Sequence, residues 1–540
     1  MAELTAGAAP RVPQVTATAG AHPQNAHLSD WIAVIAGALG ALMATLDISI
    51  TNSALPMIQG EIGATGTEGT WISTGYLMSE IVMIPLTAWL TRVFGLRRFL
   101  LTNTVLFTLF SAMCGLSHSL PQMIIGRIGQ GFAGGAMIPT AQTIVRTRLP
   151  PHQMPVGMTL FGLIMTTGPL LGPVAGGWLA ENIDWSWCFF VNLPVGVALV
   201  GLLYAGLPKS LPDWHQFVNA DWLGIIGLSA GLSSLTVVLE EGQRENWFDS
   251  RMISWLSIVA VLGISVLIAA QFIARRPVVR LRLLANSAYA SVIFIVFIVG
   301  AGLYCVVYLV PQFLAGIAGY NAQQSGGIML ISALPALLIM PILPRLLATI
   351  ETRFMVITGL LFFAGSCMLD IDLTAQSDGH DFYGSQLLRG VGQMLAMMPL
   401  NQASMNAVSR EEAGDAAGLF NMARNLGGSV GLALLGIYID RRNAFHDAII
   451  RDSLTANSIL GQDHLAATSA GFLAQHGDRA YANMQALGQL AGQMQQQAAV
   501  ITYSETFHVL GIALLLCIPI ALLLRKPKPG APAPAQGDGH

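Results

Sequence analysis

Beyond residue 30 the chain alternates apolar runs of roughly 18 to 25 residues with short polar breaks, the length a helix needs to cross a bilayer core of about 30 Å. These runs predict helices near 31–57, 70–91, 99–117, 120–145, 156–180, 187–207, 222–240, 252–274, 288–313, 325–348, 354–371, 383–407, 413–439 and 499–524, fourteen in all. The first 29 residues are polar, rich in Ala, Thr and Pro, and contain no apolar signal core. They predict a disordered tail, with the first spanning helix acting as the insertion signal. Residues 525–540 predict a second disordered tail. Residues 275–287 suggest a basic interfacial linker. Residues 440–498 suggest a polar outer loop with helix in LAATSAGFLAQ and NMQALGQLAGQMQQQ, either a solvated cap or a partner-docking surface.

Composition sharpens this to an all-α polytopic membrane protein. Charged residues make up 10% of the 540, and hydrophobic residues 54%. A soluble domain carries about 25% charged residues. The net charge of −3 gives no basis for nucleic-acid binding. The five cysteines are scattered through apolar runs, which excludes a disulfide framework or a zinc site. Lys209, Lys526 and Lys528 are the only lysines, and none belongs to a phosphate-binding loop. Energy for uphill movement must therefore come from outside the chain. With both termini cytoplasmic, seventeen of the 26 cationic residues fall in inner segments and six in outer ones, as the positive-inside rule favours. Arg441 and Arg442 locally oppose it. The remaining three, Arg127, Arg389 and Arg424, lie within apolar helices.

Charges at depth point to function. Asp47, late in the first run, costs at least about 2.5–3.5 kcal/mol to insert while ionised. It suits reversible protonation; alternatively, it satisfies backbone groups freed near Asn52 and Pro56. Glu80 is the second deep acid, suited to a proton, a substrate cation or a structural hydrogen bond. Glu505 is expected at the solvated start of the last helix. Arg127 needs an acid or carbonyls, and its pairing with Asp47 or Glu80 would link arginine contact to protonation. Gln130 lies one turn on, beside a glycine-rich stretch that admits a close neighbour.

The two halves echo each other. GRIGQGFAGGAMIPTAQT carries Arg127 and Gln130, whereas LRGVGQMLAMMPLNQAS carries Arg389 and Gln393. Such repeats mark secondary transporters, with sites at the repeat interface. Expected substrate contacts are Tyr76, Met78, Gln130, Arg389, Gln393, Met398, Asn421 and Arg424. Gly168, Pro169, Gly172, Pro173, Gly176 and Gly177 give one helix a flat, kinkable face, either a rocking surface between bundles or ordinary tight packing. Gly227 to Gly231 matches G-x-S-x-G, but it lies in an unbroken apolar run rather than a strand–turn–helix. No catalytic residue is assigned there.

LDISITNSALP, the Arg127–Gln130–Gly131 pattern, GPLLGPVAGG and WSWCFFVNLPVG resemble the drug:proton antiporters of the major facilitator superfamily. The helix count and motif order are most similar to the fourteen-helix EmrB/QacA branch, particularly its EmrB-type members. The resemblance implies a major facilitator fold with two six-helix halves at 30–207 and 288–524. Two inserted helices and the linker would occupy 208–287. It further implies proton-coupled multidrug efflux from a bacterial inner membrane, without enzymatic activity, cofactor or metal. Asp47, Glu80 and Arg127 would couple the proton, and the stretch from Gly168 to Gly177 would be the antiporter motif. An EmrA-type periplasmic adaptor and a TolC-like outer-membrane channel would be partners. Gly95, Arg97 and Arg98 fit the family's gating loop, although Arg92 stands where that loop carries an acid. Rival readings are a dedicated exporter of one metabolite, fatty acid or siderophore, an intramembrane enzyme, or a transport-dead sensor.

Overall fold

The structure is a computed structural model describing residues 25–274, 277–339, 341–409, 411–453, 459–476 and 478–524. Most of the expected N-terminal tail, the whole C-terminal one, Arg275, Arg276 and Arg410 lie outside the described residues. The described residues form helices and connecting turns, with no strand among them. The principal helices are α1 (Leu28–Ile62), α2 (Trp71–Phe94), α3 (Leu96–Gly115), α4 (Leu120–Gly134), α5 (Met137–Arg148), α6 (Met154–Asn182), α7 (Asn192–Gly206), α8 (Trp222–Glu241) and α9 (Arg251–Ile273). There follow α10 (Ser287–Gly316), α11 (Ala322–Leu330), α12 (Ala333–Ile339), α13 (Leu343–Thr349), α14 (Thr352–Leu369), α15 (Phe382–Asn406), α16 (Ala413–Ser453), α17 (Ile459–His476) and α18 (Arg479–Leu515).

Among the described residues ten helices are long and apolar enough to cross a membrane, and the bent pair Met154–Pro169 and Leu171–Asn182 raises this to as many as eleven. The other three expected spans are helical but differ from a simple apolar rod. The one near 120–145 breaks between α4 and α5, and that near 325–348 is divided into α11, α12 and α13. The third, α15, carries Gln386, Arg389, Gln393 and Asn401 in its 25 residues. Polar insertions and helix breaks lower the hydropathy of these segments without removing their helicity.

Each half has its own core. Met43, Tyr76, Phe107, Met137 and Leu199 cluster in the first. Phe313, Phe363, Phe382, Phe420 and Phe507 fill the second. A further cluster joins Met83, Leu86 and Trp89 of α2 to Leu228 and Leu232 of α8, Leu267 of α9 and Leu419 of α16. The inserted pair α8–α9 therefore packs where the halves meet. Its own seam is made by glycine: a Cβ on Gly227 or Gly231 would lie 2.8 Å from the α9 backbone. This explains the G-x-S-x-G match as helix packing.

The glycines of α6 face α1 within the first half. A Cβ on Gly172 would overlap Ser49, one on Gly176 would come 2.6 Å from the Ile50 carbonyl, and Ser49 Oγ donates to the Pro169 carbonyl at 3.0 Å. These glycines thus pack tightly within the first half, and α6 also meets the second half. There Pro173 approaches Gly326 of α11, and Gly162 receives Met398 of α15.

At the end where α1 begins, the halves are closed by charge. Arg92 Nη1 pairs with buried Asp415 at 3.1 Å, and Arg280 reaches Asp415 at 3.3 Å and Glu412 at 3.7 Å. Asn421 Nδ2 donates to Gln142 Oε1 at 2.8 Å. Gly414 and Gly418 let α16 approach α2 at Ala88 and Ile84. The arginine that departs from the gating-loop pattern thus has its acid on the opposite half. Gly95 sits at φ 81° beneath Ser210, a left-handed turn that favours glycine, and the Arg97 guanidinium lies 4.2 Å from the Tyr204 ring centre. Arg98 is exposed.

At the far end the described part of the polar segment is helical apart from Asp478, which caps α18. α16 runs for 41 residues and α18 for 37, so each extends well past a bilayer core of about 30 Å. Glu505 is an internal residue of α18 rather than its start. It accepts from Arg442 Nε and Nη2 at 2.6 Å each and lies 3.0 Å from His446 Nε2. That bidentate pair accounts for one of the two arginines opposing the charge rule.

All five cysteines are buried, so an introduced thiol can report on closure at the first end. In a Thr143→Cys protein, Asp415→Asn is expected to raise the labelling rate by a water-soluble maleimide several-fold. Arg92→Lys, which keeps the charge, should leave it near that of the parent. Unchanged labelling in D415N would show that these ion pairs do not hold the closure.

Candidate functional site

Three helices of the first half converge on Asp47. Its position midway along α1 places it opposite Arg127 and Gln130, one turn apart on α4, and Asn192 at the start of α7. Arg127 Nη1 lies 2.5 Å from Oδ2, and both side chains are fully buried. Gln130 Nε2 and Asn192 Nδ2 donate to Oδ1 at 2.9 and 2.7 Å. Every polar side chain on this carboxylate is a donor, the arrangement a buried anion requires.

Further contacts fix the donors. Arg127 Nε donates to the Ile72 carbonyl at 3.2 Å, and Nη1 also contacts Gln130 Oε1 at 3.1 Å. The Tyr76 ring lies 4.4 Å from the guanidinium carbon, and the Tyr76 hydroxyl reaches the Ala44 carbonyl at 3.4 Å. Asn192 Nδ2 is shared with Ser111 Oγ at 3.0 Å, which in turn donates to the Phe189 carbonyl at 2.8 Å. Arg127 Nη2 alone is buried without a partner. Glycines make the assembly compact. A Cβ on Gly134 would lie 2.7 Å from the Tyr76 hydroxyl, and one on Gly135 2.7 Å from the Glu80 carbonyl oxygen.

Glu80 is one turn beyond Tyr76 on α2, 2% exposed, and makes no hydrogen bond or ion pair with a described residue. It is within electrostatic reach of Arg127 and Arg424, but Arg127's ion pair is with Asp47. Met78 is half-buried on the same helix.

The second-half candidates are dispersed. Arg389 pairs with Asp370 at 2.9 Å, both buried within that half, so it does not join the Asp47 cluster. Gln393 is half-buried, and Met398 packs with Leu343, Met355 and Met394. Asn421 links the halves through Gln142. Arg424 lies on α16, and among the described residues its side chain hydrogen-bonds to its neighbour Asn425, at 3.2 and 3.3 Å to Oδ1. Sequence reading missed Asn192 and Ser111, ordinary polar residues whose role depends on tertiary convergence. It also missed the buried acids Glu241, Asp370 and Asp415 because they stand at helix ends, where charge is unremarkable in sequence.

The model of the Major Facilitator Superfamily matches residues 37–432. The chain belongs to this superfamily. It is therefore a membrane-embedded member of a transporter family rather than of an enzyme family. It is 30% identical to the colistin resistance protein EmrB of Acinetobacter baumannii over 435 residues, 81% of this chain and 85% of that protein. It is 28% identical to the multidrug export protein EmrB of Escherichia coli K12, across 90% and 93% of the two chains. It is also 28% identical to the fatty acid resistance protein FarB of Neisseria gonorrhoeae, across 92% and 96%. Among solved structures, the proton:xylose symporter XylE superposes with a TM-score of 0.58 at 13% identity, covering 92% of this chain and 96% of that one. That likeness concerns fold.

Asp47 and Arg127 form one buried ion pair and are expected to act as one energetic unit. Arg127→Met should leave an uncompensated buried carboxylate and cost about 3–5 kcal/mol. Adding Asp47→Asn should recover part of the loss, giving a coupling of about 0.5–3 kcal/mol. Reversible unfolding of the single and double variants in mixed micelles measures it. Strict additivity would sever the two residues.

Proposed function

We propose that this chain is a proton-coupled multidrug exporter, exchanging protons for hydrophobic or amphipathic compounds by alternating access. The buried Asp47–Arg127 contact carries this reading. A proton arriving on Asp47 replaces one of its acceptor sites by a donor and cancels its attraction for the guanidinium. With the proton on Oδ2, Arg127 must find another partner, while Oδ1 can still accept from Gln130 and Asn192. Since Arg127 comes from α4, a single protonation alters the packing preference of α1 and α4. Release of the proton restores the acceptor. Substrate entering between the halves must bind the two arrangements unequally for exchange to follow.

The relatives named for multidrug export support the substrate class. In this reading the chain has fourteen spans and lies in a bacterial inner membrane, with the end where α1 begins facing the cytoplasm and both termini there. Arg92, Arg97, Arg98, Arg146, Arg148, Arg280 and Arg282 near that end support the orientation. The far-end helices would serve as the surface for an EmrA-type adaptor leading to a TolC-like channel. Exposed Phe445 and Ile449 on α16, with Tyr481, Met484 and Leu487 on α18, favour such docking. A dedicated exporter of one apolar acid is the second reading, favoured by the similarity to FarB.

Proteoliposomes with an imposed pH gradient test the coupling. Drug flux by the parent is expected to follow the gradient, and Asp47→Asn should remove that dependence. Equal gradient-driven flux in D47N would exclude Asp47 as the coupling site. Deletion of most of 440–498 is expected to abolish co-purification with the adaptor while the membrane core stays folded. Undiminished adaptor capture would relocate the docking surface.

A further inference from the structure

At the far end the inserted helix α8 bridges the two halves. Its side chains from Glu240 to Arg244 reach out to alternate sides. Toward the first half, Glu241 accepts from Thr74 Oγ1 of α2 at 2.6 Å and from Thr70 Oγ1, just before α2, at 3.4 Å. Arg244 Nη1 pairs with Glu241 at 2.9 Å and also donates to the Thr70 hydroxyl. Toward the second half, Glu240 Oε1 accepts from Ser429 Oγ of α16 at 2.8 Å, and Gln243 Nε2 donates to Asp440 Oδ2 of the same helix at 2.7 Å. Gly436 makes room for the second contact, since a Cβ there would overlap the Gln243 amide.

The two sets of contacts are unequal. Glu241 is 2% exposed and faces three donors, so parting from α2 would strand a buried charge. α8 is also held to α2 along its length. Trp89 of α2 stacks on Phe217, just before α8, with ring centres 6.1 Å apart, and meets Trp222 of α8 edge-on at 6.2 Å. Leu228 and Leu232 pack with Met83 and Leu86, and Leu419 of α16 joins that cluster nearer the closed end. The glycine seam at Gly227 and Gly231 makes α9 follow α8. The contacts to α16 are looser. The Gln243–Asp440 bond is exposed, and Asp440 lines a cavity of about 770 Å³ with Gly316 of α10 and Gln496 and Tyr503 of α18. Both partners can exchange that bond for water at small net cost.

We propose that the inserted pair α8–α9 travels with the first half and latches the far end through Glu240–Ser429 and Gln243–Asp440. Opening toward that end breaks these two contacts and leaves Glu241 on α2. Five consecutive residues cannot stay bonded to both α2 and α16 while those helices separate, and the buried carboxylate decides which side lets go. The proposal rests on the alternating-access reading and gives the two inserted helices a task in it. Closure at the first end is ionic and direct between the halves, whereas closure at the far end runs through a third element.

Double electron–electron resonance on the full-length protein in lipid nanodiscs tests this. Nitroxides are placed in pairs on cysteines replacing exposed Glu61 of the first half, Glu245 of the inserted turn and Gln376 of the second half. Gln243→Glu, which sets a like charge against Asp440, is expected to raise the fraction of molecules with longer 61–376 and 245–376 distances about threefold or more. The 61–245 distance should stay as in the parent. Ser429→Ala should act in the same direction. Gln243→Lys, which keeps a donor for Asp440, should match the parent, and adding Asp440→Lys to Gln243→Glu should restore the parent distances. A parent-like distribution in Q243E, equal shifts in Q243E and Q243K, or a longer 61–245 distance with 245–376 unchanged would overturn the latch. The expected distance changes without gradient-driven flux of any compound by the parent in proteoliposomes would instead overturn the efflux reading and leave the latch standing.

Discussion

A fully buried carboxylate facing a fully buried guanidinium, Asp47 against Arg127, sets the terms for the first half of the molecule. Neither charge can stay at that depth alone, so the helices that carry them must remain together. Gln130, Asn192, Ser111 and the Ile72 carbonyl are arranged around the pair because its remaining polar atoms also need partners. Tyr76 closes one side with its ring. The glycines of α4 allow this crowding by bringing its backbone to within a side chain's thickness of α2. What looks in sequence like a small-residue bias is the steric condition for an ion pair.

The second half is organised differently. Its core is aromatic, and its own buried pair, Asp370–Arg389, lies away from the junction. The two halves are joined at one end by the partly exposed Arg92, Arg280 and Glu412 and by buried Asp415. Two guanidiniums open to water share that one carboxylate, so either can exchange its contact while the other keeps the acid paired. A deep pair that fixes local packing and shallower pairs that hold the halves closed are distinct jobs. The structure gives them to different residues.

Much of this was legible in the chain. Helical apolar runs, the intramembrane charges and the superfamily motifs led to the fold class and to a pairing of Arg127 with either Asp47 or Glu80, of which the structure shows the first. Illegible were the features that depend on which faces meet. The glycine ridge from Gly168 to Gly176 marks close approach, but only the packed molecule shows that the neighbour is α1 of the same half. Arg389 and Arg127 share a local pattern, yet Asp370 claims the former. Asn192 stood inside the WSWCFFVNLPVG motif, but nothing in the sequence tied it to Asp47. Glu240 and Glu241 sit at the end of an apolar run, where an acid is unremarkable until α2 and α16 are seen on either side of it. The far-end segment read as a polar loop carrying two helical stretches, both of which are helical; its Gln- and Ala-rich sequence favours helix further still and extends the flanking spans.

α16 begins at the closed end beside Asp415, passes the junction at Arg424 and continues without interruption to Ser453. Forty-one residues at 1.5 Å each make a rod of about 62 Å. Pivoting such a rod about its first turn by about 10° carries its tip through roughly 11 Å. Such a pivot would make α16 a lever that turns at the charged closure and reaches well beyond the thickness of a bilayer core. Whatever is seated on that tip would experience each opening and closing of the halves as a mechanical stroke.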